Sequence, residues 1–106
     1  MLITTSDHVA GREISKTIGL VRGNTIRARH VGRDILAALR TLVGGEIVEY
    51  TKLMAEAREQ ALDRMTAEAE RMGANAILEV RFSTSVVLGG AAELLAYGTA
   101  VVLEDA

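Results

Sequence analysis

Between Glu46 and Met72, apolar or small residues recur at Tyr50, Leu53, Met54, Ala57, Ala61, Met65, Ala69 and Met72. Steps of three and four place them along one stripe of an α-helix. On the opposite surface Lys52/Glu56, Gln60/Arg64 and Arg64/Glu68 are four apart and Glu68/Arg71 three apart, spacings that support a helix by a few tenths of a kcal/mol per pair. Gly73 follows the last periodic residue, which predicts a left-handed C-terminal cap, with Arg71 complementing the negative end of the dipole. At ~1.5 Å per residue the helix is about 40 Å long and spans the fold.

The other segments are ordered around this helix. Met1 to Thr5 reads as a short strand ended by Ser6-Asp7-His8, and Glu13 to Ala28, rich in β-branched residues, as a kinked strand or two short ones. Gly19 and Gly23 within it mark bulges, bends or a close approach of backbone. From His30 or Val31 to Val43 the pattern is helical again, with Ile35, Leu36, Leu39, Leu42 and Val43 on one side and Arg33, Asp34 and Arg40 on the other; Gly44-Gly45 ends it. Ile77 to Leu88 alternates, Leu78, Val80, Phe82, Val86 and Leu88 against Glu79, Arg81, Ser83 and Ser85, the pattern of a half-buried strand. Gly89-Gly90 is a tight-hairpin pair.

The strand that follows, Glu93 to Leu103, has mostly small residues at its even positions, Leu94, Ala96, Gly98, Ala100 and Val102, and larger ones at Leu95, Tyr97, Thr99, Val101 and Leu103. A helix stripe of Ala57, Ala61 and Ala69 lies closest on the small face. Leu95, Tyr97, Val101 and Leu103 are then left on the far face of a two-layer domain, where an apolar patch marks an interface with a partner subunit; the alternative is that the N-terminal strand region covers them. The expected fold class is α+β: two layers, an antiparallel β-sheet with one short and one long helix on one face.

Length and composition narrow the picture. The 106 residues make one domain, 1–106, with a single modest core. Hydrophobic residues are 49% of the chain but aromatics only 3%, so the core is aliphatic and favours extra burial by oligomerisation. A net charge of -2 argues against a nucleic-acid partner. The absence of cysteine excludes disulfides, thiolate metal sites and cysteine nucleophiles. The N-terminus lacks the pattern of a secretory signal, and Val86 to Leu103, interrupted by Gly89-Gly90 and Glu93, reads as half of a hairpin and not a membrane span. A cytoplasmic protein without a membrane partner is expected.

Several pieces together resemble the YbjQ-like family of small bacterial and archaeal proteins, some of which are labelled heavy-metal-binding domains. They are Gly19 through Thr25, Val43-Gly44-Gly45-Glu46, Tyr50-Thr51, Ala57-Arg58, Ala61, Arg64-Met65, Ala69, Gly73-Ala74-Asn75-Ala76 and Tyr97-Gly98-Thr99-Ala100-Val101. The resemblance implies an α+β subunit with an antiparallel sheet in a ring-shaped homo-oligomer, a homopentamer, and no established activity.

Candidate chemistry is sparse. For a metal ion the donors are His8 beside Asp7, and His30 with Asp34 four residues on; without cysteine, any metal is held by histidine and carboxylates. No His-x-x-x-His spacing joins them, although a ring can gather one residue from each subunit at its axis. Ser6-Asp7-His8 is consecutive and not presumed a triad. Gly19 to Gly23 lacks the Gly-Lys-Ser/Thr ending of a phosphate loop. Asn75 is suited to bonding nearby backbone. The interface candidates are Arg58 on the helix; Glu79, Arg81 and Glu93, which line an interface or pore if the face bearing Glu79 and Arg81 turns toward a neighbour and are otherwise a solvated strand face; and Leu95, Tyr97 and Val101. The large-residue strand face and the family resemblance favour a non-enzymatic homo-oligomeric ring that binds an ion or small ligand between subunits; the alternative is a metal-handling protein using histidine and carboxylate ligands. No catalytic residue or cofactor is assigned.

Overall fold

The computed structural model describes residues 1–27, 46–87 and 91–106. Among them the elements run β1 (Leu2–Ile3), β2 (Arg12–Arg27), α1 (Glu46–Arg71), β3 (Ala76–Val87) and β4 (Ala91–Asp105). The helix expected over 31–43, its Gly44-Gly45 end and the Gly89-Gly90 pair lie outside the described residues.

The strands form one sheet in the order β1-β3-β4-β2. β4 pairs antiparallel with both β2 and β3, whereas β1 joins β3 in parallel. The sheet is therefore mixed, not antiparallel throughout as expected: β1 is two residues long, and its neighbour in space is the strand that follows the long helix, which returns in the same direction. The described residues of the stretch from Val86 to Leu103 are strand, with Val87 paired to Ala91. β2 is one kinked strand, its register slipping between Ile14 and Lys16 and between Thr17 and Gly19; Gly19 has a φ of 141°, open to glycine and strained for other residues.

α1 ends as the sequence predicts. Gly73 has a φ of 86°, its N–H donates to the Glu70 carbonyl at 3.1 Å and the Ala74 N–H to the Ala69 carbonyl at 3.0 Å. These are the two bonds of a Schellman cap, and they satisfy carbonyls that the helix leaves free. The stripe is buried at Ala57, Ala61, Met65 and Ala69. Met72 departs from it, 39% exposed, because it sits at the cap, past the last regular turn. On the outer surface Glu68 pairs with Arg71, while Arg64 donates to the Asn24 carbonyl at 2.5 Å and ties the helix to β2.

The main core joins Ala61, Met65 and Ala69 to Val21, Ile77, Val80, Ala96 and Ala100, so the small face of β4 does meet the helix. The closest approach is at Gly23, where an added Cβ would run into the backbone of Ala61 and Met65. Gly98, on the same face, faces its own sheet instead: an added Cβ would lie 2.8 Å from Ile77 Cγ2 and 2.9 Å from the Leu78 carbonyl. Buried Thr25 donates its hydroxyl to the Ala57 carbonyl at 3.2 Å, satisfying a polar group that burial would otherwise penalise.

β3 departs from simple alternation. Leu78 pairs with Thr99 and Arg81 with Tyr97, so Glu79 and Val80 together oppose Gly98, a β-bulge. The extra residue reverses the faces. Ile77 and Val80 belong to the helix-side core, whereas Leu78 belongs to a second cluster, with Ala76, Val101, Leu103 and Val9. Leu78 and Val80, expected on one face, are on opposite ones.

Candidate functional site

That second cluster divides the far face of the sheet. Val101 and Leu103 are only 1% and 3% exposed, covered by the N-terminal segment through Val9. Val101 is thus core and not interface, because the segment after β1 folds over it. Asn75 closes the same end: its Nδ2–H donates to the Leu103 carbonyl at 2.9 Å and its Oδ1 accepts from the Leu103 N–H at 2.7 Å. The side-chain amide takes the place of one more residue in the ladder: it bonds backbone, as expected, but that of Leu103 across the sheet and not that of its own turn.

The remainder of the face is open, and register fixes its rows. Arg22 and Arg81 lie opposite Tyr97 from either side, and Asn24 and Ser83 lie opposite Leu95 from either side. Leu20, paired with Thr99, is 67% exposed and Tyr97 36%. Arg22 and Arg81 are exposed, Leu95 half-buried. Arg81 is anchored by its Nη1, which donates to the Thr5 carbonyl at 3.0 Å and the Val80 carbonyl at 2.9 Å. Asn24 Nδ2–H donates to Glu93 at 3.2 Å. Among the described residues no carboxylate pairs with Arg22 or Arg81. Arg22, Leu20, Val21 and Asn24 also line an open cleft of about 470 Å³ with Glu68 of α1. Sequence alone does not single out Arg22 or Leu20; the two register slips in β2 hide which face each residue takes.

Of the other candidates, Arg58 is exposed beside buried Ala57, and Glu79 is exposed at the bulge with a φ of 53°. Its N–H donates to the Ser6 carbonyl at 3.0 Å and that of Val80 to the Thr4 carbonyl at 3.0 Å, so the N-terminal segment holds the bulge. Next to this clamp, His8 Nδ1 lies 2.6 Å from Asp7 Oδ1, both side chains exposed. The hydrogen bond to His8, then its charge, holds the Asp7 carboxyl below its ordinary pKa. Ser6 Oγ approaches the same His8 nitrogen, at 3.5 Å. A hydrolytic triad puts serine and carboxylate on different ring nitrogens, so this is a turn and not a nucleophile. His30 lies outside the described residues. Among those described, no three histidines or carboxylates are grouped to hold a metal; Asp7 and His8 alone do not complete the four-ligand shell that such ions take.

Comparison with known proteins agrees with the fold. A crystal structure of a DUF74-family protein of unknown function from Pediococcus pentosaceus superposes with a TM-score of 0.64 at 18% identity, covering 98% of each chain. A UPF0145 protein of Methanosarcina acetivorans is 58% identical over 95% of both chains. Another, of Dehalococcoides mccartyi, is 60% identical over 98% of this chain and 100% of its own. The YbjQ family model, described as "Putative heavy-metal-binding", matches residues 1–104. With a whole-chain match and relatives at this identity, the chain belongs to the YbjQ family, the UPF0145 proteins.

Proposed function

We propose that this protein is a non-enzymatic homo-oligomeric ring, a pentamer by the family resemblance, working in the cytoplasm and binding an ion or small ligand between subunits. The observation that carries the reading is the open sheet face. Leu20, Leu95 and Tyr97 form an apolar band that the chain's own N-terminal segment stops short of, flanked by Arg22 and Arg81. An apolar band framed by polar residues is the composition of a protein interface. Its partner is the chain itself, with neither nucleic acid nor membrane required. Among the described residues no helix is long and apolar enough to cross a membrane.

Native mass spectrometry of the purified protein, from gentle to denaturing conditions, tests this. A multiple of the subunit mass that collapses on denaturation supports the ring, and a retained extra mass identifies the ligand class. A monomer at micromolar concentration overturns it.

A second reading, metal handling, is favoured by the family description and by the Asp7–His8 contact. It requires His8, Asp7 and His30 to be completed by donors from neighbouring subunits. A stoichiometric ion that survives dialysis of the wild type and is lost in both His8→Ala and His30→Ala supports it; retention of the ion in both variants removes it.

A further inference from the structure

Two charged features of the subunit are left without an oppositely charged partner among the described residues. Glu13 lies directly opposite Glu104 across β2 and β4, both exposed. Side chains so placed have Cβ atoms about 4.5–5.5 Å apart, and like charges there repel. Arg12, one residue away, does not neutralise them: its Nε lies 3.4 Å from Asp105 and its Nη2 donates to the Leu103 carbonyl. Nine residues further along β2, roughly 30 Å at the rise of a strand, is the row Arg22–Tyr97–Arg81, two guanidinium groups flanking an exposed ring.

We infer that the Glu13–Glu104 pair of one subunit docks on the Arg22–Tyr97–Arg81 row of the next. The match is in number as well as sign. Two carboxylates on adjacent strands meet two guanidinium groups on the strands either side of β4, spaced about 10 Å at the backbone; Arg81 keeps its Nη1 on the Thr5 and Val80 carbonyls and offers its remaining N–H groups. Arginine forks bind carboxylates bidentately, and the bond strengthens as water is excluded. One contact thereby relieves a repulsion and gives a carboxylate to two guanidinium groups that have none among the described residues. It joins different patches of the two copies, as each interface of a closed ring must. This inference rests on self-assembly of the chain and specifies its partner surface.

The test is charge reversal in the full chain, read by native mass spectrometry, with circular dichroism to establish folding. Glu13→Lys with Glu104→Lys, and separately Arg22→Glu with Arg81→Glu, are expected to lose the oligomeric mass. The variant carrying all four changes should regain it, an outcome that general damage to folding does not produce. If the wild type is oligomeric and both double variants keep its mass, the docking is wrong and self-assembly stands. Loss in the doubles without recovery in the fourfold variant also overturns the docking. A monomeric wild type removes the self-assembly on which it rests.

Discussion

Glu79 carries the clearest local strain. A non-glycine residue in the left-handed region costs about 1–2 kcal/mol, yet Glu79 stands there with a φ of 53° because the bulge needs that turn and the Thr4 and Ser6 carbonyls hold it. Replacing it with glycine relieves the backbone while adding disorder to the unfolded chain. Glu79→Gly is therefore expected to raise stability by up to about 1 kcal/mol, and Glu79→Val, β-branched at positive φ, to lower it. Urea denaturation in which the two variants are equal would dispose of the strain argument. A second residue-scale test concerns Asp7, whose depressed pKa favours the folded turn above the ordinary carboxylate value, an advantage lost as pH falls through the depressed one. His8→Ala removes the first cause of that depression. The Asp7 carboxyl carbon, followed by NMR, should then titrate at higher pH than in the wild type; an unmoved midpoint would mean that His8 is not the cause.

At the level of elements, the long helix was the most legible part of the sequence. Its apolar stripe, Gly73 cap and small-residue partner strand all have periodic or punctuating signals, and Ala61 against Ala96 and Ala100 shows them combined. What periodicity could not show was parity. The one-residue bulge at Glu79 sends Leu78 and Val80 to opposite faces, and nothing in an alternating run marks the slip, since no glycine stands where the chain turns left-handed. The site of closest contact was likewise ambiguous among the glycines: small-face reasoning points to Gly98, but the backbone that meets the helix is that of Gly23. Gly23→Ala is accordingly expected to lift α1 and cost at least about 1–3 kcal/mol by overpacking. Gly98→Leu should act mainly by parting β4 from Ile77 and Leu78. A Gly23→Ala protein with the wild-type melting temperature would contradict the helix–strand contact.

On the scale of the whole molecule, the division of the far sheet face decides how the subunit meets its surroundings. Sequence pattern identified a strand with large residues on one side but could not locate the end of its cover, because Val9 follows a polar turn and belongs to no periodic run. The fold packs Val9 on the cluster that holds Val101 and Leu103 and leaves Leu95 and Tyr97 beside Arg22 and Arg81. The row itself was not legible, since it depends on the register of three strands, two of them bulged. Leu95 is the sensitive position in this band. It is half-buried in the subunit and shares its face with Glu93, so an aspartate there puts a second carboxylate near the first and leaves a charge to be desolvated by any neighbour. Because the main core lies on the other side of the sheet, Leu95→Asp should keep the far-ultraviolet circular dichroism of the wild type while its sedimentation coefficient falls to that of a single subunit. If the variant sediments with the wild type, subunits do not meet through this face, and the apolar band requires another occupant.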